Sequence, residues 1–293
     1  LLGSGLIIVD KPTGMTSHDV ISRLRRIFGT RRVGHAGTLD PMATGVLVVG
    51  IERGTRFLAH LVTETKTYRA TIRLGASTTT DDAEGDITSR TDTTDVTDTL
   101  IDAAIAQLTG DIMQKPAAVS AIKIDGKRAH ERVRDGETVD IPARPVTVHR
   151  FDVLDRRSVD GYIDLDVDVF CSSGTYIRSL ARDLGNALGV GGHLTALRRT
   201  TVGPFDLTHA RTLEELEDNP QLSLTLDQAL AASFPILRVS GEEGHKLAMG
   251  QWLEPRGLKG IHAAVTPDGQ AVALVKEKGK RLATVFVARP STL

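Results

Sequence analysis

The chain has 293 residues, 40% of them hydrophobic and 25% charged, which is ordinary globular composition with length enough for one large domain and a smaller one. Its longest apolar runs, residues 6–9 and 46–51, fall far short of a membrane span, and residues 1–5 lack the basic start and apolar stretch of a secretion signal, so a cytoplasmic protein is expected. The single Cys171 excludes an internal disulfide, no Cys/His set has zinc-ligand spacing, and a net charge of −1 hides strongly segregated acids and bases.

Residues 6–9 read as a short strand leading into the turn Lys11-Pro12-Thr13-Gly14. Thr16 and Asp19 can cap a helix start, Val20, Leu24 and Ile27 supply its apolar stripe, and Gly29 stops it. Residues 23–32 hold five arginines and no acid. The stretch Gly34-His35-Ala36-Gly37-Thr38-Leu39-Asp40-Pro41-Met42-Ala43-Thr44-Gly45 follows, with Asp40 in a turn tightened by Gly37, Pro41 and Gly45. It runs into Val46-Leu47-Val48-Val49, a buried-strand pattern. A carboxylate held in a loop at the edge of a core is placed like a reactive group. Asp before Pro is also ordinary turn chemistry, and this stretch alone leaves both readings open.

Residues 66–74 alternate cleanly, with Tyr68, Ala70, Ile72 and Leu74 on one face of a half-buried strand. Residues 76–94 read as a polar loop, and 78–102 carry eight acids against the one base Arg90. Asp81-Asp82-Ala83-Glu84-Gly85-Asp86 has the composition of a calcium loop without its spacing, so it reads as a turn. A helix is expected over 95–109. Residues 111–150, with Pro116, Pro142, Pro145 and many bases, look like an exposed excursion from the core. Ile163, Leu165, Val167 and Val169 mark another strand, running into Cys171-Ser172-Ser173-Gly174 and a helix over 175–188. Arg178 falls in the first turn of that helix, where the dipole disfavours cations, so it is expected to meet an anion. Two short helices follow the Gly203-Pro204-Phe205 turn, with Thr212 and Glu215 as a cap, and residues 236–289 read as short strands. No dinucleotide or P-loop fingerprint is present, and no cofactor or metal is expected. The pattern predicts an α+β fold with a mixed, mainly antiparallel sheet flanked by helices and a small C-terminal β-rich domain.

Gly37-Thr38-Leu39-Asp40-Pro41-Met42-Ala43-Thr44-Gly45 resembles the catalytic motif of the tRNA pseudouridine-55 synthases, the TruB family. Lys11-Pro12-Thr13-Gly14-Met15-Thr16-Ser17, Lys66-Thr67-Tyr68, Ser173-Gly174-Thr175-Tyr176-Ile177-Arg178 and His193-Leu194-Thr195-Ala196-Leu197-Arg198-Arg199 are similar to its other motifs, in its order. Leu247-Ala248-Met249-Gly250-Gln251 and Ala271-Val272-Ala273-Leu274-Val275 are more weakly similar to a PUA domain. The resemblance implies the pseudouridine synthase fold, a catalytic domain over 1–234 with an RNA-gripping insertion at about 111–150, and a PUA-like RNA-binding domain over 235–293.

It implies a tRNA-modifying isomerase, acting as a monomer on the T stem-loop, without cofactor or metal. Asp40 would attack or stabilise C1′ of the uridine, Arg178 would keep that acid ionised, and Tyr68 would stack on the uracil. His35 would fill the gap left by the flipped nucleotide, Tyr176 and Leu197 would line the pocket, and Lys11 would support the catalytic loop. Lys127, Arg128, Arg132, Arg198 and Arg199 would bind RNA. Leu197, Tyr176, His35 and Lys11 each also fit a purely structural role. His130 and Val133 depart from the family's usual Tyr and Ala, which touches the details of the grip. Two alternatives are a guide-RNA-dependent synthase of the box H/ACA type, and a tRNA-binding folding chaperone without chemistry. The insertion and the intact Asp40, Tyr68 and Arg178 favour the free-standing enzyme.

Overall fold

The computed structural model describes residues 3–117, 123–124, 127–128 and 141–290, and the chain separates by its internal contacts into two units. The first comprises Leu1–Pro41, Gly45–Val62 and Val202–Leu293; the second comprises Met42–Thr44 and Thr63–Thr201.

The first unit is organised around the strand Gly5–Lys11, whose apolar run leaves almost no side chain exposed. It pairs antiparallel with Thr44–Ile51 on one side and Leu224–Thr225 on the other, and Val33–Ala36 pairs with Thr44–Ile51 in turn. A strand flanked on both edges and covered on both faces needs a near-continuous apolar sequence rather than alternation. Leu6, Ile8, Val46 and Val48 pack in one core with Phe57, Phe205, Leu226 and Leu230, and with Ala263, Leu274 and Phe286 from the C-terminal segment. The helix Ser17–Phe28 forms as expected, with a reciprocal Thr16/Asp19 capping box and Gly29 in the left-handed region at φ 64°.

The C-terminal segment of this unit is a sheet in the order Ile236–Arg238, His262–Val265, Ala271–Lys278, Arg281–Val287, parallel in its first pair and antiparallel in the others. Val239, Leu247, Leu253, Ala273, Val275 and Leu282 form a second cluster there. Strands alone are expected from the sequence, yet a helix also spans Gly241–Ala248, capped by Ser240 and Glu243. It buries only Gly244 and Leu247, too few positions to set up a helical period.

The second unit carries the strand order Gly192–Val202, Lys66–Leu74, Tyr162–Cys171, Arg144–Val159, Gly110–Gln114. Tyr68, Ala70, Ile72 and Leu74 are buried as their alternation predicts. The opposite face is a cross-strand ladder in register: Arg69 with Asp168 at 2.9 Å, Thr71 with Asp166 at 2.8 Å, Arg73 with Asp164 at 2.9 Å. The helices Asp98–Gln107 and Ile177–Ala187 are both a little shorter than their sequence patterns suggest.

Two readings of the sequence need correction. The ends of the 111–150 excursion belong to the sheet, because Gly110–Gln114 pairs antiparallel with the 16-residue strand Arg144–Val159. That strand escapes a period-two search because its register slips between Val148 and Arg150 and again between Val153 and Asp155. The polar stretch 76–94 is also not simply an exposed loop. Ala76–Thr78 pairs with Ile87–Arg90, and the turn between them buries Asp82 to 2% exposure. Within the insertion, Lys123–Ile124 and Lys127–Arg128 pair antiparallel. His130, Arg132 and Val133 lie outside the described residues. No helix among the described residues is long and apolar enough to cross a membrane.

Candidate active site

Asp40 lies, half-buried, in the loop between the strands Val33–Ala36 and Thr44–Ile51, and the residues on either side of it are pinned through their backbones. Leu39 is held by Ser17, the buried first residue of its helix. The Ser17 hydroxyl accepts from the Leu39 amide at 3.0 Å and donates to the Leu39 carbonyl at 3.1 Å. Pro41 is held by Lys11, the last residue of its strand and 0% exposed. The Lys11 ammonium donates to the carbonyls of Pro12 (2.8 Å), Met15 (2.6 Å) and Pro41 (3.3 Å), and the Gly14 amide also donates to Pro41 at 2.7 Å. Gly37 and Gly45 turn the chain at φ 75° and 105°, where a side chain would be strained. The Lys11-to-Ser17 motif is therefore the cradle of the Asp40 loop. His35 stands nearby in sequence, half-buried on Val33–Ala36 and opposite Val49.

In the second unit, Tyr68 is buried near the start of Lys66–Leu74, opposite Val169. Two residues before it the Lys66 ammonium is also buried; that burial first, and the neighbouring Arg199 second, hold it below the usual lysine range. The Cys171 thiol donates to the Lys66 carbonyl at 3.7 Å, and burial pushes it up to about 11. Arg199, expected to bind RNA, is 1% exposed, so its guanidinium is withdrawn from solvent. Arg198 is half-buried and donates to the Thr44 hydroxyl at 3.2 Å, just beyond the Asp40 loop in the chain. Leu197 is buried.

Arg178 occupies the first turn of Ile177–Ala187 at 7% exposure, and an anion does meet it. Its Nη1 donates to the Thr80 carbonyl at 3.3 Å and lies 3.8 Å from Oδ2 of Asp82. Asp82 is itself fixed: its Oδ1 accepts from the Thr80 hydroxyl at 2.6 Å and the Glu84 amide at 3.0 Å. One helical turn later Arg182 repeats the arrangement, 3.3 Å from Asp81 and donating to the Lys115 carbonyl at 2.6 Å. Burial pushes the Asp81 carboxyl above its usual range, against the pull of Arg182 and then Arg178. Asp81 and Asp82, which the sequence reading treated as a turn, are the acids that meet these two arginines. The signal was two adjacent acids matched to two arginines four residues apart.

Tyr176 is held through its main chain. Gln114, 2% exposed at the end of Gly110–Gln114, accepts from the Tyr176 amide at 2.8 Å and donates to its carbonyl at 3.1 Å. The stem of the insertion is thereby tied twice to the segment carrying Arg178, through Gln114 and through Arg182. Lys11, His35 and Asp40 belong to the first unit, and Tyr68, Tyr176, Arg178, Leu197, Arg198 and Arg199 to the second.

Residues 25–177 match the family model of the TruB family pseudouridylate synthase N-terminal domain. Residues 178–232 match that of the tRNA pseudouridylate synthase B C-terminal domain, and 234–289 that of the tRNA pseudouridine synthase II C terminus. The tRNA pseudouridine synthase B of Corynebacterium efficiens is 73% identical over 290 residues, covering 99% of this chain and 98% of its own. That of Nocardia farcinica is 60% identical over 289 residues, covering 99% and 94%. Among solved structures, a chain of a Cbf5-Nop10-Gar1 complex superposes with a TM-score of 0.75 at 28% identity, over 98% of this chain and 86% of that one.

Proposed function

The chain belongs to the TruB family of pseudouridylate synthases, and from that membership we propose that the uridine it isomerises is the one at position 55, in the T loop of tRNA. The activity is tRNA uridine-to-pseudouridine isomerisation, as in its curated relatives. The C1′–N1 bond breaks, the base turns, C5 bonds to C1′, and the proton leaving C5 is balanced by one gained at N1. Nothing is added to the nucleotide or removed from it.

The observation that carries the site assignment is the double pinning of the Asp40 loop. Leu39 and Pro41 are both anchored by buried side chains from other elements, which fixes the backbone on either side of Asp40. A turn needed only for chain reversal requires no buried ammonium beneath it. Asp40 is the carboxylate that acts at C1′, as nucleophile or as counter-charge. Tyr68 stacks on the uracil and handles the C5 proton, and Arg178 is the cation that keeps the reacting acid ionised, itself oriented by Asp82. His35 takes the space of the flipped nucleotide, Tyr176 and Leu197 wall the pocket, and Lys11 positions the loop. Lys127, Arg128, Arg132 and Arg198 contact the RNA backbone.

We assign residues 1–234 to catalysis, with the 111–150 insertion gripping the T stem-loop, and 235–293 to a PUA-like RNA-binding module. The separate family match over 234–289 supports that boundary. The enzyme works as a monomer in the cytoplasm. A guide-RNA-dependent mode is disfavoured: curated tRNA pseudouridine synthases B reach 73% identity, against 27% and 28% for chains of H/ACA and Cbf5 complexes. Incubation with unmodified tRNA, without added cofactor, is expected to place pseudouridine at the T-loop position. Asp40→Asn should yield none while tRNA binding persists. Product at another uridine overturns the position, and full activity of Asp40→Asn overturns the catalytic assignment.

A further inference from the structure

The C-terminal segment contains the one tryptophan of the chain, Trp252, and leaves it 45% exposed. Its placement follows from a pair of buried neighbours. Leu253 and Leu282 exchange backbone hydrogen bonds of 2.9 and 2.8 Å as an antiparallel bridge, and both side chains enter the local core. Residues adjacent to such a pair project to the opposite face, and Trp252 and Arg281 are diagonal neighbours there. The Arg281 guanidinium accordingly lies over the indole, 4.9 Å from the ring centroid. The irregular segment that follows Trp252 is anchored as well, since Glu277 accepts from the amides of Arg256 (2.6 Å) and Leu258 (3.0 Å).

The surroundings are predominantly basic, although the exposed Glu254 lies two residues from Trp252 and Glu277 is engaged with backbone amides. The hairpin of Ala271–Lys278 and Arg281–Val287 ends in the exposed Lys276, Lys278, Lys280 and Arg281, with Lys278 facing Arg281 in register. Residues 235–293 carry nine Lys/Arg against five Asp/Glu, in a chain whose overall net charge is −1. An aromatic side chain contacted by a guanidinium, beside a basic hairpin end, matches the two demands of an unpaired nucleotide, a π-face to stack on and cations for its phosphates.

We propose that Trp252 and Arg281 form a stacking platform that binds an unpaired nucleobase of the tRNA substrate. The proposal rests on tRNA being the substrate, and is independent of which uridine is isomerised. Because Trp252 is the sole tryptophan, intrinsic emission of the full chain reports on the platform directly. Titration with unmodified tRNA or a short single-stranded RNA quenches the emission, whereas a blunt RNA duplex of equal length does not. Trp252→Ala raises KM for tRNA about tenfold with kcat unchanged, the size expected for losing one base–aromatic stack. Trp252→Phe keeps near-wild-type KM, and Arg281→Ala weakens quenching by single-stranded RNA. Unchanged emission at saturating tRNA overturns the proposal. So does equal quenching by the duplex, or a Trp252→Ala enzyme with wild-type KM. The position of pseudouridine in the product is read separately, so failure of that assignment leaves this test intact.

Discussion

Lys11 is a buried residue whose proposed part in catalysis is to hold the Asp40 loop, without reacting itself. Its ammonium is taken out of water, which is costly, and carbonyls from two loops, one ending on the peptide after Asp40, offset that cost. Lys11→Met keeps the aliphatic stem but removes the ammonium from the carbonyls of Pro12, Met15 and Pro41, of which Pro41 keeps the Gly14 amide. We expect a loss of about 3 kcal/mol in urea denaturation, and a fall in isomerisation larger than the unfolded fraction explains. Cys171 is a contrasting case. Its thiol is raised from 9.0 to about 11, chiefly by burial, so at pH 8 it should resist alkylation in the native protein and react on unfolding. Since its folded value lies above the unfolded one, the protonated thiol contributes stability below about pH 9, and that contribution is lost as pH rises through 11. A urea midpoint that stays level over this window in wild type, relative to Cys171→Ala, would contradict that assignment.

At the scale of elements, the helix Ile177–Ala187 is the part whose placement matters most. It brings Arg178 to Asp82 and Arg182 to Asp81, and its first residue follows a tyrosine clamped by Gln114. The helix seats against the chain at Gly185, where an added Cβ would lie 2.1 Å from the Gly191 carbonyl carbon and 2.1 Å from the Gly192 nitrogen. Those atoms are backbone and cannot step aside, so the helix itself must move. Gly185→Ala is expected to cost about 3 kcal/mol by thermal or urea unfolding, and to lower turnover as the two arginines shift from their acids. Wild-type stability in this variant would show that the helix has room the packing does not indicate.

For the whole molecule, a near-neutral charge coexists with a polyanionic substrate because the bases are clustered rather than numerous. Lys127 and Arg128 sit in the insertion, a second group sits on the C-terminal hairpin, and the acids of 162–171 are consumed in the Arg/Asp ladder of the sheet. Binding of tRNA should therefore weaken steeply with salt despite the neutral net charge. Replacing Lys127 and Arg128 together by Ala should reduce the slope of log affinity against log salt by about 1.5, as two phosphate contacts are lost. An unchanged slope would remove these residues from the RNA interface.

Much of this protein is legible in its linear order. The alternation of 66–74, the capped helix after Thr16 and the glycine-tightened loop around Asp40 follow from local sterics and the burial of one face, which a periodic pattern records directly. The strand Arg144–Val159 was hidden because bulges break its period, and the short helix Gly241–Ala248 because it buries too little. Tertiary structure alone decided that Ser17 and Lys11 bracket Asp40 and that Arg178 and Arg182 meet Asp82 and Asp81. It alone also withdrew Arg199 from solvent. Those pairings join residues far apart in the chain, and a hydrogen bond or ion pair depends on where two backbones arrive in space. A side chain's type sets which partners it can accept, and only the folded chain selects among them.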